Sequence, residues 1–579
     1  MTNHIKYIAA ISFFLPISFS SQAENNIEIK DAGKAVFNII TYKGDGSILH
    51  SGHGIFISNM GEGLSLYSFF ENASRAEVID SKGVKYPVFR ILGASSTNDL
   101  VRFSIAGGKK ISYFNLAEAA TADTTSNLNL ISYSTEKKNK PIRVKVTSAD
   151  TYDSLKYYTT TVTNTPSYMG CPIATDDGRI VGITQTNVEK NAKGACAIDA
   201  RFALNLTVGK MGGLNSDLRN IGIPKAIPAN EKDALTYLYL ISSADSATYM
   251  TALNDFISQF PENAEGYANR AKYYSQLKQY AMADQDFAKA ADVVNEGKST
   301  IKADEIHNDY SKTIYQKAVY APKDDYASWT LNKALDEAKK AYAISPNPFY
   351  LLQEGRCLFS MKKYKEAHQS FLNLAQSADR DSSQWSPTAK SEAWFYAARS
   401  LELANGDSLK VIALMDSAIN RLPQPLDQST AQYLFERATR LVRAGKFRLA
   451  VKDYTNYEQI IGPSNLTAQF YYLKEQAELN SRMYQQALDD IRTALSKAPN
   501  DELYMVEEAL VLLRAGLYEE AAKQCEKTIA SYPNNSDAYK IMGLSYGELK
   551  QKAKAISYLK KAKELGDTTA ESFMERYLK

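Results

Sequence analysis

Beyond about residue 233 one spacing of small and bulky side chains recurs along the sequence, and it restricts the second half of the chain to stacked helical hairpins. Tyr267, Ala271, Tyr274, Ala283, Phe287 and Ala290 set out the spacing. Tyr539, Gly543, Tyr546, Ala555, Leu559 and Ala562 repeat it near the end. Between them come Leu351, Gly355, Leu358, Ala367 and Phe371, then Leu434, Ala438, Leu441, Ala450 and Tyr454, then Met505, Ala509, Leu512, Ala521 and Cys525. Less regular copies surround Trp394 and Tyr471. The small residues let two antiparallel helices approach closely, and the bulky ones fill the space against the next hairpin. Prolines such as Pro346, Pro423 and Pro533 close several of the units.

This spacing resembles that of tetratricopeptide repeats, helical hairpins of about 34 residues. About seven units would occupy residues 233–579. The resemblance implies a solenoid that binds protein or peptide partners. Its inner face, lined by the first helix of each unit, would expose Lys272 and Ser275, then Arg356 and Phe359, then Thr439. Some members of the family clamp a peptide's terminal carboxylate with recurring Lys and Asn on that face. That pattern does not recur here.

Residues 28–205 read differently. Lys34 to Ile40, Gly54 to Ser58 and Ile142 to Val146 are β-branched runs bounded by Gly, Asn, Asp or Pro, as in a barrel or sandwich of short strands. A stretch rich in Gly and Pro, 206–232, follows and reads as a linker. Within the β region, Pro166-Ser167-Tyr168-Met169-Gly170-Cys171-Pro172-Ile173 and then Asp177-Gly178-Arg179-Ile180-Val181-Gly182-Ile183 resemble the nucleophile turn and next strand of trypsin-like, HtrA-type serine proteases. The family pattern there reads G-N-S-G-G-P-L and then G-x-(V/I)-V-G-I. Gly52 to Ser58, Leu64 to Ala73 and Asn98 to Phe103 are similar to three further segments of that family, in the same order. The resemblance implies a trypsin-like double β-barrel.

Carried over residue by residue, the catalytic triad is incomplete. Acyl transfer of this type needs a serine, an imidazole within hydrogen-bond reach and a carboxylate that orients the imidazole. Asp99 matches the carboxylate, whereas Ser68 stands at the histidine position and Met169 at the serine position. Ser167 replaces a glycine of the oxyanion turn. A thioether has no proton to lose, and a hydroxyl is no base near neutral pH. His50 and His53 flank the start of a strand, away from the position of the base. The expectation is a domain without hydrolytic activity; the alternative is a peptidase with a rearranged site.

Lys6, the apolar run Ile8 to Phe19 and the small residues ending at Ala23 read as a cleavable signal peptide over residues 1–23. With the two resemblances, it implies an exported protein of a bacterial cell envelope, with no membrane span in the mature chain. Lys and Arg total 68 against 65 Asp and Glu, so no basic footprint points to nucleic acid. No glycine loop for phosphates, H-E-x-x-H or paired C-x-x-C occurs, and neither cofactor nor metal is expected. Nothing in the sequence sets an oligomeric state. Of the four cysteines, Cys171 and Cys196 share the β region and are a candidate disulfide pair; Cys357 and Cys525 read as buried thiols.

Overall fold

A computed structural model of the chain describes residues 27–578 apart from 137–139, 153, 190–191, 298, 300 and 381–384. The signal peptide expected over 1–23 lies outside the described residues. The chain forms two compact units, one reaching to Lys302 and the other running from Ala303 to Lys579.

The first unit begins with six strands: β1 (Val36–Tyr42), β2 (Ile48–Phe56), β3 (Glu62–Ser65), β4 (Arg75–Ile79), β5 (Lys85–Ser95) and β6 (Leu100–Ile105). They close into an antiparallel barrel in the order β1-β2-β3-β6-β5-β4. Closure leaves no free sheet edge and encloses Phe37, Phe56 and Phe103, whose rings pack edge to face with Phe37 at 4.7 and 5.8 Å. Glycine at position 54 makes room for them, because a Cβ there would lie 2.5 Å from the Phe37 ring. A short helix, α1 (Tyr67–Phe70), follows β3. The strands β7 (Asn127–Leu130), β8 (Ile142–Tyr152), β9 (Leu155–Thr163), β10 (Pro172–Ala174), β11 (Ile180–Gln185) and β12 (Gly194–Asp199) close a second barrel in the order β10-β11-β12-β9-β8-β7. One apolar core joins Val36, Ile55, Leu64 and Leu100 of the first barrel to Leu128, Val144, Ile173 and Ile183 of the second.

The segment expected as a linker, 206–232, is packed. It carries the short helix α2 (Ser216–Arg219), and Val208, Leu218, Ile221, Ile223 and Ile227 share a core with Phe37, Val78 and Ile91. Ile91 exchanges main-chain hydrogen bonds with the carbonyl of Pro224 (2.9 Å) and the amide of Ala226 (2.8 Å). Gly and Pro mark the bends, while the apolar residues between them enter the core. The helices α3 (Glu231–Leu240) and α4 (Ser246–Gln259) add Leu238, Leu253 and Phe256 to this core. Arg90 of β5 grips Asp255 of α4 with two bonds of 2.8 and 3.2 Å. The unit ends with the hairpin α5 (Ala264–Gln276) and α6 (Tyr280–Asn295).

The second unit is helical. Its hairpins are α7 (Ala303–Tyr320) with α8 (Leu331–Ile344), α9 (Pro348–Ser360) with α10 (Tyr364–Arg380), and α11 (Pro387–Leu403) with α12 (Ser408–Ile419). There follow α13 (Gln432–Arg443) with α14 (Phe447–Ile461), α15 (Ala468–Asn480) with α16 (Tyr484–Lys497), α17 (Glu502–Arg514) with α18 (Tyr518–Ser531), and α19 (Ser536–Glu548) with α20 (Lys552–Glu564). A final helix, α21 (Ala570–Leu578), packs on α20. The spacing alanines and glycines are buried at the helix crossings; at Gly355 a Cβ would meet the Phe371 ring at 2.6 Å. Most hairpins turn through one left-handed residue: Lys278, Lys362, Asn405, Gly445, Arg482, Gly516 and Lys550. Its amide and the next close back on the helix, as in Lys362 to Phe359 (2.9 Å) and Lys363 to Leu358 (2.9 Å).

The α7–α8 hairpin is the one the spacing did not reveal. Ser311 takes the place of a small spacer and its hydroxyl donates to the Ala334 carbonyl at 2.6 Å. The loop between Tyr320 and Leu331, which buries Trp329, separates the two helices by more residues than in the other hairpins and shifts the register.

Candidate functional site

In the β domain the structure brings Ser68 and Asp99 together. Ser68 sits in α1, and its main-chain N–H donates to Asp99 Oδ1 at 2.7 Å while its hydroxyl donates to Oδ2 at 3.2 Å. Asp99 holds a left-handed backbone (φ 45°) just before β6. The Gln185 side chain, at the end of β11, donates to the carbonyls of Asn98 (2.6 Å) and Asp99 (3.3 Å), so the second barrel pins the turn that presents the carboxylate. Burial pushes the Asp99 carboxyl above the usual carboxylate range, and the two bonds from Ser68 oppose that rise. Burial also raises the Tyr157 phenol, with the neighbouring Cys196 thiol and the Asp99 charge adding to it.

Met169 is placed differently. Pro166–Tyr168 form a turn of 3-10 helix, and the Met169 N–H is spent on the Pro166 carbonyl at 3.3 Å. The Met169 side chain, 4% exposed, belongs to the core shared by the two barrels. Gly170 follows at φ 82°, so close to the His53 carbonyl oxygen that a Cβ would lie 2.1 Å from it. Its N–H donates to Thr184 O at 2.9 Å, and the Thr184 hydroxyl binds the carbonyls of Tyr168 and Cys171. Burial, the larger effect, lowers the basicity of the His53 imidazole, and the neighbouring Met169 backbone opposes that fall. His53 Nδ1 is buried with no hydrogen-bond partner. The close approach of His53 to this turn has no local signal, because it depends on how β2 lies against Gly170.

The candidate disulfide does not form. All four cysteines are free and buried. Cys171 points into the core between the barrels together with Ala195 and Ala197. Cys196 lies between those two alanines on β12, so strand alternation turns its side chain to the opposite face, beside Tyr157.

Among the repeat candidates, Lys272 and Ser275 lie half-buried on α5. In the second unit Arg356 pairs with Glu392 at 3.6 Å, and the Phe359 ring packs edge-on against Tyr364 (5.5 Å) and Tyr396 (6.5 Å). The Thr439 hydroxyl donates to the Phe435 carbonyl at 3.0 Å and lines a cavity of about 390 Å³ with Arg399, Glu402, Arg440 and Arg443.

What the sequence reading missed is a buried ion pair that recurs inside the hairpins. Arg270 grips Asp286 through two bonds (2.7 and 2.8 Å), and Arg437 grips Asp453 in the same way (2.7 and 2.7 Å). Lys474 reaches Asp490 at 3.0 Å and also Glu458 at 2.7 Å. The signal was present: each arginine precedes the first small spacer, Ala271 or Ala438, and each aspartate follows the second, Ala283 or Ala450. In the third case Glu475 occupies the spacer position itself and is fully buried, one carboxylate oxygen lacking a partner. Burial and the Glu507 charge push its carboxyl up to about 8; burial and Asp490 push Glu478 to about 9.

Among the described residues no cluster of His, Cys, Asp and Glu is arranged to hold a metal, and no helix is long and apolar enough to cross a membrane. The family model of the N-terminal TPR repeat region of Psidin matches residues 477–577. No curated protein sequence matches the chain. Among solved structures the chain is similar to the MamO protease domain from Magnetospirillum magneticum, at 11% identity over 30% of this chain and 95% of that one, with a TM-score of 0.26. It is similar to YrrB, a TPR protein with an unusual peptide-binding site, at 16% identity over 35% and 96%, with a TM-score of 0.28. It is also similar to the serine endoprotease from Yersinia pestis, at 16% identity over 34% and 68%, with a TM-score of 0.26. Two closed six-stranded barrels, the arrangement of a trypsin-like fold, are thus followed by stacked helical hairpins, of which residues 477–577 match a tetratricopeptide repeat model.

Proposed function

We propose that the chain is an exported, non-catalytic interaction protein of a bacterial cell envelope, whose repeats hold protein or peptide and whose β domain keeps a protease-like cleft without hydrolysis. The observation that carries this reading is the pairing of Asp99 with Ser68. Where a protease needs an imidazole between carboxylate and nucleophile, the carboxylate is taken up by a hydroxyl and an amide that accept no proton. Two further features support it. The thioether of Met169 is sunk in the core, and the Met169 N–H, which at a nucleophile position would face a developing oxyanion, is committed to Pro166.

A fluorophosphonate probe, which labels activated serines, tests the catalytic half of the proposal. No labelling of the purified chain is expected; labelling abolished by Asp99→Ala would refute it. For export, the mature protein recovered from its native envelope should begin at Glu24. An amino terminus at Met1 would contradict that part alone.

A further inference from the structure

The turn between α13 and α14 and the turn between α15 and α16 face each other across a cavity of about 490 Å³. Its lining is Gly445, Lys446, Phe447, Arg448 and Leu449 from the first turn, and Asn480, Ser481 and Arg482 from the second. Three of these side chains are cationic and none is acidic. Among the described residues Lys446, Arg448 and Arg482 make no ion pair, whereas Arg437 and Arg440 of the same hairpin each hold a carboxylate.

Two of the cations stand where the backbone disfavours them. Lys446 is the N-cap of α14 and Arg448 lies in its first turn, at the end where the helix carries partial positive charge. That first turn holds no acidic residue, and no side chain caps its N–H groups. A helix start of this kind attracts an anion, and the cations around it multiply the attraction. A separate feature points the same way. Ser481 lines the cavity, is 9% exposed, and its hydroxyl is buried with no hydrogen-bond partner. A buried hydroxyl left unpaired is costly, and an accepting oxygen would relieve that cost.

We propose that this cavity is a phosphate-binding site, formed by Lys446, Arg448, Arg482, the Ser481 hydroxyl and the start of α14. Three uncompensated cations suit a group that carries about two negative charges at neutral pH and offers several acceptor oxygens. Phe447 and the exposed Leu449 border the cations, so the site accommodates a phosphate borne on an apolar body as well as the free ion.

The test uses the full chain with two probes, inorganic phosphate followed by calorimetry and vesicles of phosphatidic acid in phosphatidylcholine followed by co-sedimentation. Each is measured for the native chain and for the pair of substitutions Lys446→Gln and Arg448→Gln, with sodium chloride at equal ionic strength as control. Both substituted residues are exposed, so the fold should persist, and circular dichroism checks this. Saturable binding of either probe that weakens at least tenfold in the variant is the expected result. Response to phosphate assigns the free ion, and response to vesicles alone assigns the lipid headgroup. Binding of neither probe, equal binding by the variant, or an equal effect of chloride overturns the proposal.

Discussion

The cleft of the β domain and the joints of the repeats treat buried carboxylates in opposite ways. Asp99 is given neutral partners, the N–H and hydroxyl of Ser68, and its carboxyl rises. Asp453, inside α14, is met by a two-pronged guanidinium from Arg437. Hydrogen bonds from uncharged donors fix the carboxylate's geometry but supply no base to take a proton. A paired charge holds two helices in one register and is costly to break. The α13–α14 joint is thus braced by a charged pair, while the Ser68–Asp99 contact of the cleft is held by uncharged donors.

The largest expected effect comes from breaking the strong side. Arg437→Ala strands Asp453, whose side chain is 3% exposed, and should destabilise the α13–α14 hairpin by about 3 kcal/mol. Hydrogen exchange of the α13 and α14 amides would report it. Exchange unchanged from the native chain would show that the pair adds nothing to the joint.

A second effect comes from the joint where pairing is incomplete. Glu475 and Glu478 have carboxyls near 8 and 9 in the folded chain against an ordinary 4.5. Between these limits the folded state binds more protons than the unfolded state, so stability is full below about pH 4.5 and falls as pH rises toward 9. Asp490 and Glu507 face the pair and reinforce the trend, and Lys474 opposes it. Protection of the α15–α16 amides should therefore drop between pH 5.5 and pH 8.5. Glu475→Gln should flatten that slope; a slope of the same size in the variant would place its origin elsewhere.

The weak side should yield less. Asp99→Ala removes two hydrogen bonds from uncharged donors, one of them at the exposed Ser68 hydroxyl, and should cost about 1.5 kcal/mol in urea unfolding of the β domain. A loss as large as that of Arg437→Ala would erase the contrast. Smallest is the change at a turn: Lys362 adopts φ 60°, and Lys362→Gly should stabilise its hairpin by about 0.5 kcal/mol in a thermal melt.

These differences explain what could be read in the sequence. The spacers Ala271, Ala438 and Ala555 announced their hairpins because a close helix crossing tolerates few side chains. Ser68 and Asp99 were placed together because local order along the strands carries the barrel's register. The α7–α8 hairpin escaped because the loop holding Trp329 displaces Ser311 from its spacing. The packing of 206–232 escaped because Gly and Pro there mark bends, and the turn signal outweighed the intervening isoleucines. The turn of Cys196 to the face opposite Cys171 depends on strand register, which cysteine spacing does not encode. Contacts between distant segments, such as His53 with Met169, had no local signal.

The central claim is that the chain binds without cleaving. The direct measurement is incubation of the purified full chain with unfolded, fluorescently quenched casein, following anisotropy for capture and dequenching for hydrolysis in the same sample. The account predicts a saturable rise in anisotropy with no dequenching above buffer. Dequenching that disappears on Asp99→Ala would contradict it.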